Sequence, residues 1–142
     1  MDAKRRQLNT ALFIIYCALM LWLLFARGGP IEGISLNLKP LRTVMRYVRL
    51  LDSARPHLVQ LAVINLFGNV IMFIPLGFFL PQVFKKLHRL WKVLLTTALI
   101  ITLVEIAQLL TQMGCCDIDD LLLNVIGAAM GYGLYQLNPK EE

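Results

Sequence analysis

Between Val93 and Met113 the chain carries a single charge, Glu105. An ionised carboxylate facing lipid there would cost several kcal/mol, so Glu105 should turn inward and find a partner or hold a proton. Gln108, three residues on, shares its helical face. The stretch CCDIDDLLLN, residues 115–124, places Asp117, Asp119 and Asp120 ahead of another apolar run, with Asn124 four residues beyond Asp120. Asn65 and Asn69 are also four apart and lie on one face of a third apolar run. Carboxylates and amides gathered inside a bilayer can hold a polar head group by hydrogen bonds. With Glu105 as general base and Asp120 as orienter, they could instead move a proton. Asp117 or Asp119 can also cap the amides at a helix start and favour the positive end of its dipole.

Other chemistries find less support. The acidic spacing fits no EF-hand loop and no histidine is close in sequence, so no metal and no cofactor is expected. Cys115 and Cys116 are adjacent, which strains a mutual disulfide and leaves a zinc site short of ligands. Together with Cys17 they read as free thiols. His57 and His88 sit at opposite ends of one apolar run and cannot share a site. There is no Ser-His-Asp set, GxSxG elbow, phosphate-cradling glycine loop or nucleic-acid motif.

The elements that carry these residues are membrane helices. At 142 residues, 58% hydrophobic and 16% charged, the chain is too apolar for an ordinary soluble domain. Leu8 to Ala26 holds no charge and continues into LLFARGGP without a small-residue cleavage pattern, so an uncleaved anchor is expected. The predicted fold is an all-α membrane protein in one domain, 1–142. Its transmembrane helices cover about 8–26, 58–80, 93–113 and 119–137. Pro75 should kink the second and Pro81 mark its exit, while Gly127 and Gly131 give the last a GxxxG spacing for close helix contact.

The segment of about 40–53 differs in kind. In PLRTVMRYVRLLD the apolar residues recur at helical spacing while Arg42, Arg46 and Arg49 take the other side. This is an interfacial amphipathic helix, suited either to headgroup phosphates or to covering the bundle. Lysines and arginines flanking the spans number eight on the side of Lys4, Lys86 and Lys140 and six on the side of Arg27 and Arg55. That bias makes both termini cytoplasmic, and contact with anionic lipid accounts for the net charge of +5. At a helical rise of about 1.5 Å per residue, Asn65, Asn69, Glu105, Gln108, Asp120 and Asn124 all fall about 5–17 Å below the same surface. Alternation of the last three spans keeps them together in either orientation.

The ordered motifs resemble the VanZ-like family of small bacterial membrane proteins, named for an accessory factor in glycopeptide resistance, chiefly to teicoplanin. NLKPLRTVMRY is similar to the family's NL-x-P segment, NLFGNVIMFIPLGFFLP to its N-x-x-GN-x-x-x-F-x-P-x-G core, EIAQLLT to its E-x-x-Q helix and DIDDLLLNVIGAAMGY to its closing segment. The resemblance runs from about Leu36 to Gly133. It singles out Asn65, Gly68, Asn69, Pro75, Gly77, Glu105, Gln108, Asp117, Asp120, Asn124, Gly127 and Gly131. Cys115 and Cys116 stand where many relatives have an arginine or a small polar residue.

The expected function is binding of a lipid-linked envelope component or lipoglycopeptide at the outer leaflet of the bacterial cytoplasmic membrane, with lowered teicoplanin susceptibility. Arg42, Arg46 and Arg49 would meet phosphate, while Asn65, Asn69, Glu105, Gln108, Asp117, Asp120 and Asn124 would meet the head. Two alternatives stand beside it. One is an intramembrane enzyme acting on a lipid head group or acyl chain with Glu105 as general base. The other is a structural subunit whose polar cluster locks the helices.

Overall fold

The computed structural model describes residues 3–26, 36–112 and 116–137. Arg27, Met113, Cys115 and Lys140, used above, lie outside the described residues. The described residues form five helices, α1 (Ala3–Ala26), α2 (Arg42–Leu51), α3 (Pro56–Val83), α4 (Leu90–Thr111) and α5 (Ile118–Leu137). Two short strands join them, β1 (Leu36–Asn37) and β2 (Cys116–Asp117).

Three helices, α1, α3 and α4, are long and apolar enough to cross a membrane. They are three of the four expected spans, and α5 falls short of that measure. Asp119, Asp120 and Asn124, with Gly127, Gly131, Gly133 and two tyrosines, dilute the apolarity of α5. What α5 has instead is a central place. Its glycines allow backbone contact with α3, because a Cβ on Gly127 would overlap the Val70 carbonyl and one on Gly131 the Ile74 carbonyl. Gly77 of α3 meets the backbone of Ala128 in the same way. The GxxxG pair is therefore a helix-packing device.

The core sits in the half of the bundle away from the acids. Phe73, Leu76 and Leu80 of α3 pack there with Val93 and Ile101 of α4, Met20 of α1 and Tyr132 of α5. Hydrogen bonds fix the order of the helices. Asn9 Nδ2 donates to Gln82 Oε1 at 2.7 Å and Tyr16 Oη to the Met72 carbonyl at 2.8 Å, setting α1 antiparallel to α3. Tyr132 Oη donates to the His88 carbonyl at 2.7 Å, bringing the end of α5 to the start of α4. α3 runs unbroken through Pro75 and past Pro81 to Val83, two residues beyond the expected exit. A proline removes only its own N–H, and Phe84 N–H still closes the last turn on the Leu80 carbonyl at 2.9 Å.

Outside this core the surface is apolar. Leu95, Leu99, Leu103 and Leu110 on α4, and Ile14, Leu19 and Trp22 on α1, are exposed. So large an apolar surface marks contact with a membrane or a partner, and with the three long apolar helices it makes this a membrane-embedded protein.

Candidate functional site

α2 begins without a capping side chain of its own. Its N-cap residue is Leu41, in the left-handed region at φ 64°, and it offers no polar atom to the first amides. Asp119 supplies the acceptor from another helix. One carboxylate oxygen accepts Leu41 N–H at 2.5 Å, and the other accepts Thr43 N–H at 2.7 Å and Val44 N–H at 3.1 Å. Asp119 is fully buried. It therefore caps α2 in trans, whereas the sequence placed it at the start of its own helix.

Asp117 does cap α5. Its Oδ1 accepts Asp119 N–H at 2.9 Å and Asn37 Nδ2–H at 3.0 Å, and its Oδ2 accepts the Thr43 hydroxyl at 2.5 Å. Asn37 Nδ2 also reaches Thr43 Oγ1 at 2.9 Å. The parallel pairing of Leu36 with Cys116 and Asn37 with Asp117 completes the tie. One acidic segment thus holds β1, α2 and α5 together.

Below this tie lies the polar interior. Glu105, 8% exposed, accepts Asp117 N–H at 3.3 Å and hydrogen-bonds the Cys116 side chain. Asp120 Oδ1 accepts Asn69 Nδ2–H at 2.6 Å, joining α5 to α3. Asn124 is 4% exposed, and its Oδ1 has no hydrogen-bond partner among the described residues. The amides expected as donors to Glu105 are used elsewhere. Gln108 Nε2 donates to the Leu24 carbonyl at 2.8 Å, satisfying an orphan acceptor near the end of α1, and Asn65 Nδ2 donates to the Leu61 carbonyl at 2.8 Å.

These residues surround one cavity of about 1160 Å3. Asn65, Asn69, Glu105, Gln108, Asp117, Asp120 and Asn124 all line it. So do Arg42, Arg46 and Arg49, exposed along α2, which form a cationic wall. Leu23, Leu24, Met45, Leu50 and Met72 add apolar lining. Charged and aliphatic side chains thus line the same space.

The sequence profile of the VanZ/LLP1 family matches residues 13–138. The chain belongs to that family. It is also similar to Protein VanZ of Enterococcus faecium, at 30% identity over 140 residues covering 94% of this chain and 76% of the relative. No solved structure matches.

All four VanZ-like segments picked out in the sequence converge on this cavity. NLKP contributes Asn37, N-x-x-GN contributes Asn65 and Asn69, E-x-x-Q contributes Glu105 and Gln108, and the closing segment contributes Asp117, Asp120 and Asn124. Gly68 of the same pattern faces open space, since a Cβ there would meet nothing within 4 Å. Asn37, Thr43 and Asp119 were missed as positioning residues. A helix that opens on leucine with no local acceptor is the signal that could have pointed to a buried carboxylate elsewhere. Among the described residues Cys17 and Cys116 form no disulfide.

Proposed function

We propose that this VanZ/LLP1 protein crosses the bacterial cytoplasmic membrane four times, with α5 as the fourth span, α2 in the outer interface and both termini cytoplasmic. In its cavity it binds a lipid-linked envelope component or a lipoglycopeptide, and so lowers susceptibility to teicoplanin. The observation that carries this reading is the shared cavity, in which the arginines of a surface helix, the buried Glu105 and Asn124 and the half-buried Asp120 line the same space. Its aliphatic lining supports an amphiphilic occupant, and its membrane setting supports one delivered laterally from the bilayer.

Within this reading the acids divide by role. Asp117 and Asp119 spend their oxygens on Asn37, Thr43 and backbone amides, and so position α2. Glu105, Asp120 and Asn124 line the cavity beneath and act on the ligand.

The test is teicoplanin and vancomycin susceptibility in a sensitive Gram-positive host expressing the wild type, Glu105→Gln or Asp120→Asn at matched membrane abundance. Lowered teicoplanin susceptibility that disappears in both variants supports the reading. An unchanged wild-type response, with insertion verified, removes the resistance role for this member.

A further inference from the structure

The cavity is electrically divided. Three arginines, Arg42, Arg46 and Arg49, face it from α2, and three carboxylates, Glu105, Asp117 and Asp120, face it from α4, β2 and α5, so its lining is formally neutral. The poles differ in burial as well as in sign. The arginines are exposed, whereas Glu105 is buried, and Glu105 and Asp120 lie within electrostatic reach of each other. Asn124 also lines the cavity, with its Oδ1 buried behind the lining and without a partner among the described residues. This floor is therefore rich in acceptors. Three of its amides are already engaged, Asn69 with Asp120, Gln108 with Leu24 and Asn65 with Leu61.

A purely anionic head would satisfy the arginines and bring its charge against two neighbouring carboxylates. Like charges gathered in one site are costly. Sugar hydroxyls would meet the acceptors but not the charge. A primary ammonium supplies both, with three N–H donors and a positive charge for two carboxylates.

We infer that the head group taken by this cavity is zwitterionic, with a phosphate diester at the α2 arginines and a primary ammonium at Glu105 and Asp120. The inference rests on the ligand-binding reading above and takes an amine-bearing phospholipid as the lipid-borne envelope component which that reading leaves open. A quaternary ammonium has no N–H to give, so methylation of the amine should abolish recognition. The carboxylates of the floor thus set specificity, and the arginines set affinity for phosphate.

Lipid retention by the full-length protein tests this, using native mass spectrometry on protein released from bilayers of equal parts phosphatidylethanolamine, phosphatidylglycerol and phosphatidylcholine. The wild type should retain phosphatidylethanolamine about tenfold over either competitor, the selectivity one charge-assisted hydrogen bond can supply. Glu105→Gln and Asp120→Asn should bring phosphatidylethanolamine down to the level of phosphatidylglycerol, and a combined R42Q/R46Q/R49Q variant should lose both. If the wild type retains phosphatidylglycerol or phosphatidylcholine as well as phosphatidylethanolamine, the ammonium assignment is overturned while a phosphate-binding pocket stands. Amine preference that persists in both acid variants overturns the role of the floor. Retention of all three lipids indifferent to every substitution overturns the ligand-binding reading itself. The wild-type ranking needs no variant to fold and decides the inference alone.

Discussion

Removing the Asp119 carboxylate should release α2 while leaving the bundle folded. Three backbone amides, of Leu41, Thr43 and Val44, converge on that one fully buried side chain. Hydrogen bonds to a charged acceptor contribute about 1.5–3 kcal/mol each. The full amount is not lost, because α2 buries no residue and its freed amides regain water. A net loss of about 2–4 kcal/mol in α2 docking follows for Asp119→Ala, or about 30- to 700-fold at about 1.4 kcal/mol per tenfold. Hydrogen–deuterium exchange on the protein in nanodiscs reads this directly. Peptides covering residues 41–51 should exchange faster by that factor, while those from α3 and α5 remain protected. Asp119→Asn, which keeps one acceptor oxygen, should fall between the two. Unchanged protection of α2 would refute the trans cap, and equal loss of protection in α3 would show that Asp119 supports the whole bundle.

Other expectations follow from the same contacts. Gly131→Ala drives a Cβ into the Ile74 carbonyl and should cost about 1–3 kcal/mol in detergent unfolding. Gly133→Ala, with nothing within 4 Å, should be neutral or slightly stabilising. A double-mutant cycle on Asn69→Ala and Asp120→Ala, read by the same unfolding assay, should give a coupling of about 1 kcal/mol from their 2.6 Å hydrogen bond. A coupling near zero would mean that the pair does not hold α3 to α5. In a cysteine-free background, impermeant maleimide should label Arg46→Cys from outside intact cells and Lys86→Cys only after permeabilisation. Labelling of both from one side would rule out the four-span arrangement.

Much of the site was legible because helical spacing is rigid. Pairs such as Asn65 and Asn69, or Asp120 and Asn124, have to share a face, and alternation of spans has to bring those faces to one end of the bundle. Partner choice was not legible. Nothing in the spacing sends Gln108 to the Leu24 carbonyl or Asp119 to α2, since these bonds join residues far apart in sequence whose approach depends on packing. The bridge between β1 and β2 was invisible for a related reason, because two-residue strands carry no periodicity. α5 reads as a span from its charge-free run, and its glycines and polar residues trade part of that apolarity for close contact with α3.

The central claim is that the cavity between α2 and the acidic floor holds a specific amphiphile. Photocrosslinking tests it most directly, with a photoreactive amino acid placed at Leu50, inside the cavity, or at Leu110, 79% exposed on the outer face of α4. After irradiation in native membranes, position 50 should capture one dominant adduct mass that Glu105→Gln or Asp120→Asn abolishes, while position 110 captures bulk lipid in proportion to its abundance. The same bulk distribution at both positions, unchanged by either substitution, would contradict the account.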